Sequence, residues 1–507
     1  MKSSILKRYN DKIIKIFFII LSILFTIPSI VYLVNNKTIL GFSNYYNFFI
    51  NDGTNKTISS TIYVIIFIML FVTYLYFIKK KDVFKNIRQI LIYSGILGLI
   101  FILMLPWTSS DIFYYMGVGE LDSVYKQNPY YISIKDYCNE NNQVLKDDTI
   151  IEQGYMNVWS GTTVVYGPIA QLIFRSITKV SFKNLNISIL LFKILNLIVH
   201  LLNCYLIYKI TKKIKFSIIY GLNPYIFLEF IGMLHIDIIV ILFTLLTIYF
   251  LMCKRKILPS ILFLAIATGI KYFTILLLPV VILYHYKDEE NILKRFLKCI
   301  QYGTIFLVIF ILEYAIYFRN FEIFSAMMVQ TERYCKSFYS GFYSWGVLSG
   351  KGVVKVFDNY LNMGFFAKKA RDISFGIFAI IYIKFCIDLL TTKNIKFYKT
   401  IRKYSFTLML FIISLSNFQQ WYLVWLFATL PWQKPNTIRN ILGLSFATEI
   451  GNSIYMYIVE SFHYDLYFIG IIAGIYILWI ILTNKNLNLQ LQNIGKIFNK
   501  DVTLKRR

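Results

Sequence analysis

The chain has 507 residues, 57% of them hydrophobic and 18% aromatic, with a mean hydropathy of +0.59 and a formal net charge of +27. A soluble fold of this length cannot carry so large an apolar fraction, so the composition specifies a protein with many membrane-spanning segments. The excess Lys and Arg sits in short clusters between apolar runs; that is the pattern of inner loops and not of a nucleic-acid groove, where basic and aromatic residues interleave over one surface.

Residues 1–15 are basic and are expected inside, so the apolar run 13–34 crosses outward, and it is too long for a signal peptide. After an outer loop at 35–56, the run 58–78 returns inward to KKKDVFKNIR. The run 89–106, about 18 residues, then goes out and delivers WTSSD to the outer surface. If 164–180 also crossed, the run at 187–210 would leave KITKKIK outside, against the charge rule. Keeping 166–179 as an interfacial helix restores every later loop to its side. Further spans are expected at 187–208, 216–233, 236–252, 257–270, 273–285 and 299–317, with a long outer loop at 318–371. The last are at 373–390, 404–416, 421–432, 438–459 and 465–482. The predicted fold is an all-α integral membrane bundle of roughly fourteen transmembrane helices with interfacial helices in the outer loop. Residues 1–88 supply an N-terminal helix pair, 89–482 the catalytic membrane domain, and 483–507 a basic inner tail. The six cysteines have no C-x-x-C spacing, and Cys138 and Cys335, both in predicted outer loops, are expected as thiols in preference to a bridge. No G-x-G-x-x-G or G-x-x-x-x-G-K-[ST] follows a strand pattern, so no Rossmann or ATPase reading survives.

The distinctive polar residues gather at outer helix ends. If Ser110 or Asp111 caps a new helix, Asp111, Tyr115, Val118 and Asp122 share one face. Asp111 is then a candidate general base, with helix capping as its plain alternative. Glu120 and Asp122 form an acid-x-acid pair able to bind a divalent cation, or are solvated loop charges. In LNPYIFLEFIGMLHIDIIV, Asn223 and Pro224 break a helix, and His235 and Asp237 flank its outer turn, either touching phosphate or sugar or capping the turn. Glu229 in the same apolar stretch needs a partner that the sequence does not name. Lys271 in GIKYFTILLLP lies between two short spans, as a phosphate ligand or a snorkelling side chain. The loop after 317 carries Arg319, Glu332, Arg333, Lys336 and two Gly-rich turns, SGFYSWG and SGKG. Gln420 and Trp421 open an aromatic segment that either stacks on substrate or belongs to the interfacial belt.

The order Asp111-x-x-Tyr114-Tyr115, Asn128-Pro129-Tyr130, Tyr166-Gly167-Pro168, His235-x-Asp237, Lys271-Tyr272 and Gln420-Trp421 resembles the GT-C superfamily of membrane glycosyltransferases. It is most similar to the polyprenol-phosphomannose-dependent mannosyltransferases and the PIG-M-like branch, with Ser109 standing where that branch has the first acid of D-x-D. The resemblance implies a polyprenyl-phosphate sugar donor, a glycan or lipid acceptor, membrane lipids as surroundings and no nucleic acid. It implies Asp111 as base and Tyr114, Tyr115, Asn128, Tyr166, His235, Asp237, Lys271, Arg319, Gln420 and Trp421 around the substrate, with Lys271 and Arg319 on the donor phosphate. No cofactor is certain, and a divalent metal at Glu120 and Asp122 is left open. Both termini are expected in the cytoplasm and the active site on the outer side of the cell membrane. The competing class is a transporter or flippase of lipid-linked saccharides, which would place charges mid-span and repeat its halves. A ligase of lipid-linked saccharides would share the outer-loop layout.

Overall fold

The computed structural model describes residues 2–36, 54–80, 82–331, 333–341, 353–356, 359–393, 395–458 and 465–483. Most of the outer loop at 35–56, Glu332, most of SGFYSWG, the SGKG turn and the basic tail fall outside them.

Apolar runs opened by Asn caps and closed by left-handed residues make the chain almost wholly helical. α1 (Lys2–Asn36), α2 (Thr54–Lys79) and α3 (Ile87–Ile102) pack together at the N-terminus. Asn86 accepts the Gln89 N–H at 3.0 Å to open α3. Short helices follow: α4 (Asp111–Ser123), α5 (Ile134–Glu140), α6 (Val144–Asp147), α7 (Thr149–Tyr155) and α8 (Pro168–Ser181). α9 (Leu185–Thr211) is capped by Asn184 and stopped by Lys212 at φ 55°. α10 (Ile214–Gly221) and α11 (Pro224–Gly232) form a pair bent by 46°, because Pro224 disfavours helix at Asn223. Then come α12 (Asp237–Lys254), α13 (Ile257–Thr268), α14 (Tyr272–His285), α15 (Ile292–Glu313) and α16 (Phe321–Gln330). An antiparallel hairpin pairs Val353–Val356 with Asn359–Asn362, Val353 opposite Asn362. It leads into α17 (Met363–Thr391), α18 (Phe397–Ser414), a 3-10 segment (Gln420–Trp432), α19 (Pro435–Ile458) and α20 (Asp465–Thr483).

Among the described residues, six helices are long and apolar enough to cross a membrane, or seven if the bent pair counts as one. They are Asp11–Asn36, Thr61–Lys79, α9, α12, α15 and Gly364–Thr391. The other expected spans take shorter or broken forms. α3 has 16 residues, about 24 Å of helix. The segment expected as a span at 421–432 is a buried 3-10 stretch of 13 residues, whose steeper rise makes it about 26 Å long. The expected loop at 318–371 contains α16, the hairpin and the start of α17, a start the sequence hides behind the charged run KKARD. Cys138 and Cys335 do not form a disulfide.

α9 holds the bundle's polar spine. Lys193, Asn196, His200 and Asn203 are buried and recur at helical spacing, so they share a face. That face meets the carbonyls that the broken pair and the end of α3 leave without helical partners. Lys193 Nζ donates to Met104 O at 2.6 Å, Ile231 O at 3.0 Å and Gly232 O at 3.3 Å. Asn196 donates to Phe230 O at 2.7 Å and His235 O at 3.3 Å, and Asn203 to Ile238 O at 3.0 Å. In a lipid-surrounded interior no water is present to do this, so side chains must.

Candidate active site

α4 begins at Asp111, with Ser110 in the cap position and no side-chain cap bond. Asp111 is therefore free of capping duty, and its carboxylate receives other donors. Trp159 Nε1 donates to Oδ1 at 3.3 Å, and the Tyr115 hydroxyl, one turn along α4, to Oδ2 at 3.4 Å. The Tyr115 hydroxyl also lies 3.0 Å from that of Tyr166. Burial pushes both phenols well above their ordinary range, so they remain protonated donors. Asn157 donates to Ser110 O at 2.6 Å, and Tyr114 donates to the Thr162 and Thr163 carbonyls at 3.1 Å, which fixes the Trp159 loop over the start of α4.

Behind Asp111 lies the turn between α11 and α12. Leu234 has φ 68°, a left-handed conformation that a leucine adopts only where its surroundings enforce it. It turns His235 back toward α4. His235 Nδ1 lies 3.7 Å from Asp111 Oδ2 and Nε2 lies 3.2 Å from Glu229 Oε2, with the ring stacked on Trp421 at 3.5 Å between centroids. Gln420 donates to Glu229 Oε1 at 3.2 Å. These are the partners of Glu229 that the sequence withheld. Asp237 accepts Lys271 Nζ at 2.8 Å and Trp425 Nε1 at 2.6 Å on one oxygen.

The Tyr-Gly-Pro segment meets the Gly-Ile-Lys loop backbone to backbone. Ile169 N donates to Gly269 O at 2.9 Å and Gly167 N to Ile270 O at 3.3 Å. A Cβ on Gly167 would overlap the Gly269 carbonyl, so only glycine permits the approach. It sets Tyr166 beside Lys271, whose ammonium lies 4.8 to 5.6 Å from the rings of Tyr422, Trp425 and Tyr166.

Asp111 and Lys271 both line a cavity of about 740 Å³. Asp111, Tyr114, Tyr166, Lys271, Gln419 and Trp421 share the lining with Phe273 of α14, Phe411 of α18, and Arg371, Asp372 and Phe375 of α17, where Phe375 is 49% exposed. Among the sequence candidates, Tyr115, His235, Asp237 and Gln420 stand behind this lining. Asn128 is further back: it donates to Tyr317 O at 2.7 Å, while Tyr130 donates to Tyr166 O at 2.9 Å and supports it. Arg319 is exposed outside the lining, over the Tyr131 ring. Glu120 and Asp122 point to different neighbours. Asp122 accepts Tyr317 at 2.8 Å and Gln171 at 3.3 Å and pairs with Arg175 at 3.3 Å. Glu120 abuts Asp148, and burial with that neighbour pushes its carboxyl up to about 8. Among the described residues no three His, Cys, Asp or Glu side chains converge as a metal site.

Two residues at the site carried no signal read from the sequence. Trp159, which donates to Asp111, drew no reading from the sequence. Arg371 lines the cavity, bound to Asp372 at 2.6 and 3.0 Å, and lay in what read as loop.

The model of the MptA_B family, described as alpha-(1->6)-mannopyranosyltransferase, N-terminal domain, matches residues 20–287. No curated protein and no solved structure gives a match.

Proposed function

This chain belongs to the MptA_B family of alpha-(1->6)-mannopyranosyltransferases, and on that premise we propose that it transfers mannose from a polyprenyl-phosphate carrier to a hydroxyl of a glycan or lipid acceptor. The observation that carries the donor class is the mixed lining of the cavity. A carboxylate and two cations share it with a wall of Tyr, Trp and Phe side chains, including Phe375 on the sparsely buried helix Gly364–Thr391. An amphiphile with a sugar, a phosphate and an isoprenoid tail presents the same mix of chemistry.

In this reading the fold is of the GT-C type, with roughly fourteen crossings counting the short and broken ones, and α8 at the outer interface. Asp111 takes the acceptor's proton as its oxygen attacks the anomeric carbon with inversion. Trp159 and Tyr115 hold the carboxylate in place. The bond to the donor phosphate breaks with its electron pair on oxygen, where charge grows and Lys271 is placed to meet it. Arg371 takes the second cationic position that the sequence reading gave to Arg319.

Purified protein incubated with radiolabelled polyprenyl-phosphate mannose and, separately, with nucleotide-linked mannose tests the donor. Label is expected to move to acceptor from the lipid only. Transfer from the nucleotide sugar alone would reject the lipid donor while leaving the family intact.

A further inference from the structure

Asp111, His235 and Glu229 stand in series from the cavity into the protein, and the described mechanism uses only the first. His235 has zero exposure, so it cannot touch substrate. Its ring nitrogens lie near carboxylates, Nδ1 3.7 Å from Asp111 and Nε2 3.2 Å from Glu229, and neither nitrogen makes a hydrogen bond among the described residues, with those acids or with any other group. Trp421 stacks on the ring at 17° between planes and fixes its plane. Backbone contacts hold it as well: His235 N donates to Glu229 O at 3.2 Å, and Asn196 grips His235 O.

An imidazole between two carboxylates has two balanced arrangements. Either both ring nitrogens carry protons, one for each acid, or one acid carries a proton and the ring accepts at one edge. The two differ by the place of a single proton. The other neighbours of Glu229 are Gln420, which donates to its Oε1, and Glu449 on α19. Lys336, which donates to Asn452 at 2.6 Å, faces Glu449 from the far side. Tyr115, Tyr166 and Tyr422 face Asp111, Tyr225 faces Glu229, and Asp237 is matched by Lys271.

We propose that His235 and Glu229 form a buried proton relay behind Asp111, which keeps Asp111 ionised while the sugar is transferred. This rests on the reading of Asp111 as base. The acceptor O–H breaks as its oxygen bonds the anomeric carbon, and the proton goes to Asp111 Oδ2. Asp111 passes a proton to His235 Nδ1 as the Nε2 proton moves to Glu229 Oε2. When product leaves, the same proton returns by the same atoms to water in the cavity. His235 and Glu229 act through Asp111 and are positioning residues for its proton.

The test is steady-state turnover of the full chain against pH, with polyprenyl-phosphate mannose as donor. H235Q and E229Q are expected to lower kcat about 10- to 100-fold with little change in donor KM, and to alter the shape of the pH profile. Without the relay Asp111 must discharge to solvent, so turnover becomes dependent on buffer concentration, and added imidazole restores activity to H235A. Losses that are equal at every pH and unmoved by buffer or imidazole would overturn the relay. Should the variants not fold, the wild-type proton inventory in mixed light and heavy water decides: a bowed plot supports more than one proton in flight, and a straight one rejects it. D111N run alongside separates the two readings. Near-normal turnover in D111N rejects the base itself, whereas its loss together with pH-parallel losses in H235Q and E229Q rejects only the relay.

Discussion

Asp111 is 16% exposed at its side chain, enough to meet an acceptor, yet donors from Trp159 and Tyr115 hold both its oxygens. Because Ser110 occupies the cap position, loss of activity on changing Asp111 cannot be ascribed to a lost cap. Asp111→Asn keeps the volume and removes the basicity, so turnover is expected to fall about 100-fold or more while the melting temperature holds. Wild-type transfer by that variant would leave Asp111 a structural residue. The cations divide by position. Lys271 and Arg371 line the cavity and Arg319 does not, so Lys271→Gln and Arg371→Gln should lower kcat more than they raise donor KM. Arg319→Gln should transfer at near the wild-type rate, and equal damage from all three would mean that the donor phosphate reaches beyond the cavity.

At the scale of elements, the site depends on two glycines that let α8 dock on the loop after α13. Gly167→Ala forces the backbones apart, and the Cβ of Gly269→Ala strikes the Ile169 side chain and the Glu313 carboxylate; each carries an overpacking cost of about 1–3 kcal/mol and should disturb the placing of Tyr166 beside Lys271. Thermal melting and turnover measured together check this; intact activity in both variants would show that the approach is not required. The contact of α4 with α7 carries a pH dependence of its own. Unfolded Glu120 ionises near 4.5 and folded Glu120 near 8. Between those values the folded state holds the extra proton, so stability falls as pH rises and levels off above about 8. Once the intrinsic base-catalysed rate is divided out, the protection of α7 amides should be lower at alkaline than at mildly acidic pH, and Glu120→Gln should abolish that loss of protection. α8 was legible because Pro168 sits at its first position and its apolar residues recur at helical spacing. The spine of α9 was not, although Lys193, Asn196, His200 and Asn203 repeat at three and four residues within an apolar run. Its partners are carbonyls of a helix broken far along the chain, and nothing in the sequence of α9 points to them.

At the scale of the whole molecule, the ends of the bundle differ in charge. The turns at 79–88, 209–215, 254–256, 286–298 and 392–403 are rich in Lys and Arg. All lie at the ends of α3, α9, α12, α14 and α18 remote from the Asp111 loop. The module around Asp111 carries both signs, with Asp136, Glu140, Asp147, Asp148 and Glu152 beside Lys126, Lys135, Lys146, Arg175, Lys179 and Lys183. Parity counting had put these turns on one side from loop charges alone; six of its expected crossings are helices long and apolar enough to span among the described residues, and the others are shorter or broken. α15 and Gly364–Thr391 have only 6% and 17% of their apolar windows buried, as flanks turned to lipid would be, and the second of them supplies Arg371, Asp372 and Phe375 to the cavity lining. If the basic end is cytoplasmic, the Asp111 end meets the outside. A cysteine placed at exposed Asn142 should react with an impermeant maleimide in intact cells, whereas one at exposed Glu290 should react only after the membrane is opened. The background must lack Cys253, which is exposed at the basic end. Reaction at Glu290 with silence at Asn142 would turn the molecule over, place Asp111 in the cytoplasm, and remove the reason for a lipid-linked donor, since nucleotide sugars would then reach the cavity directly.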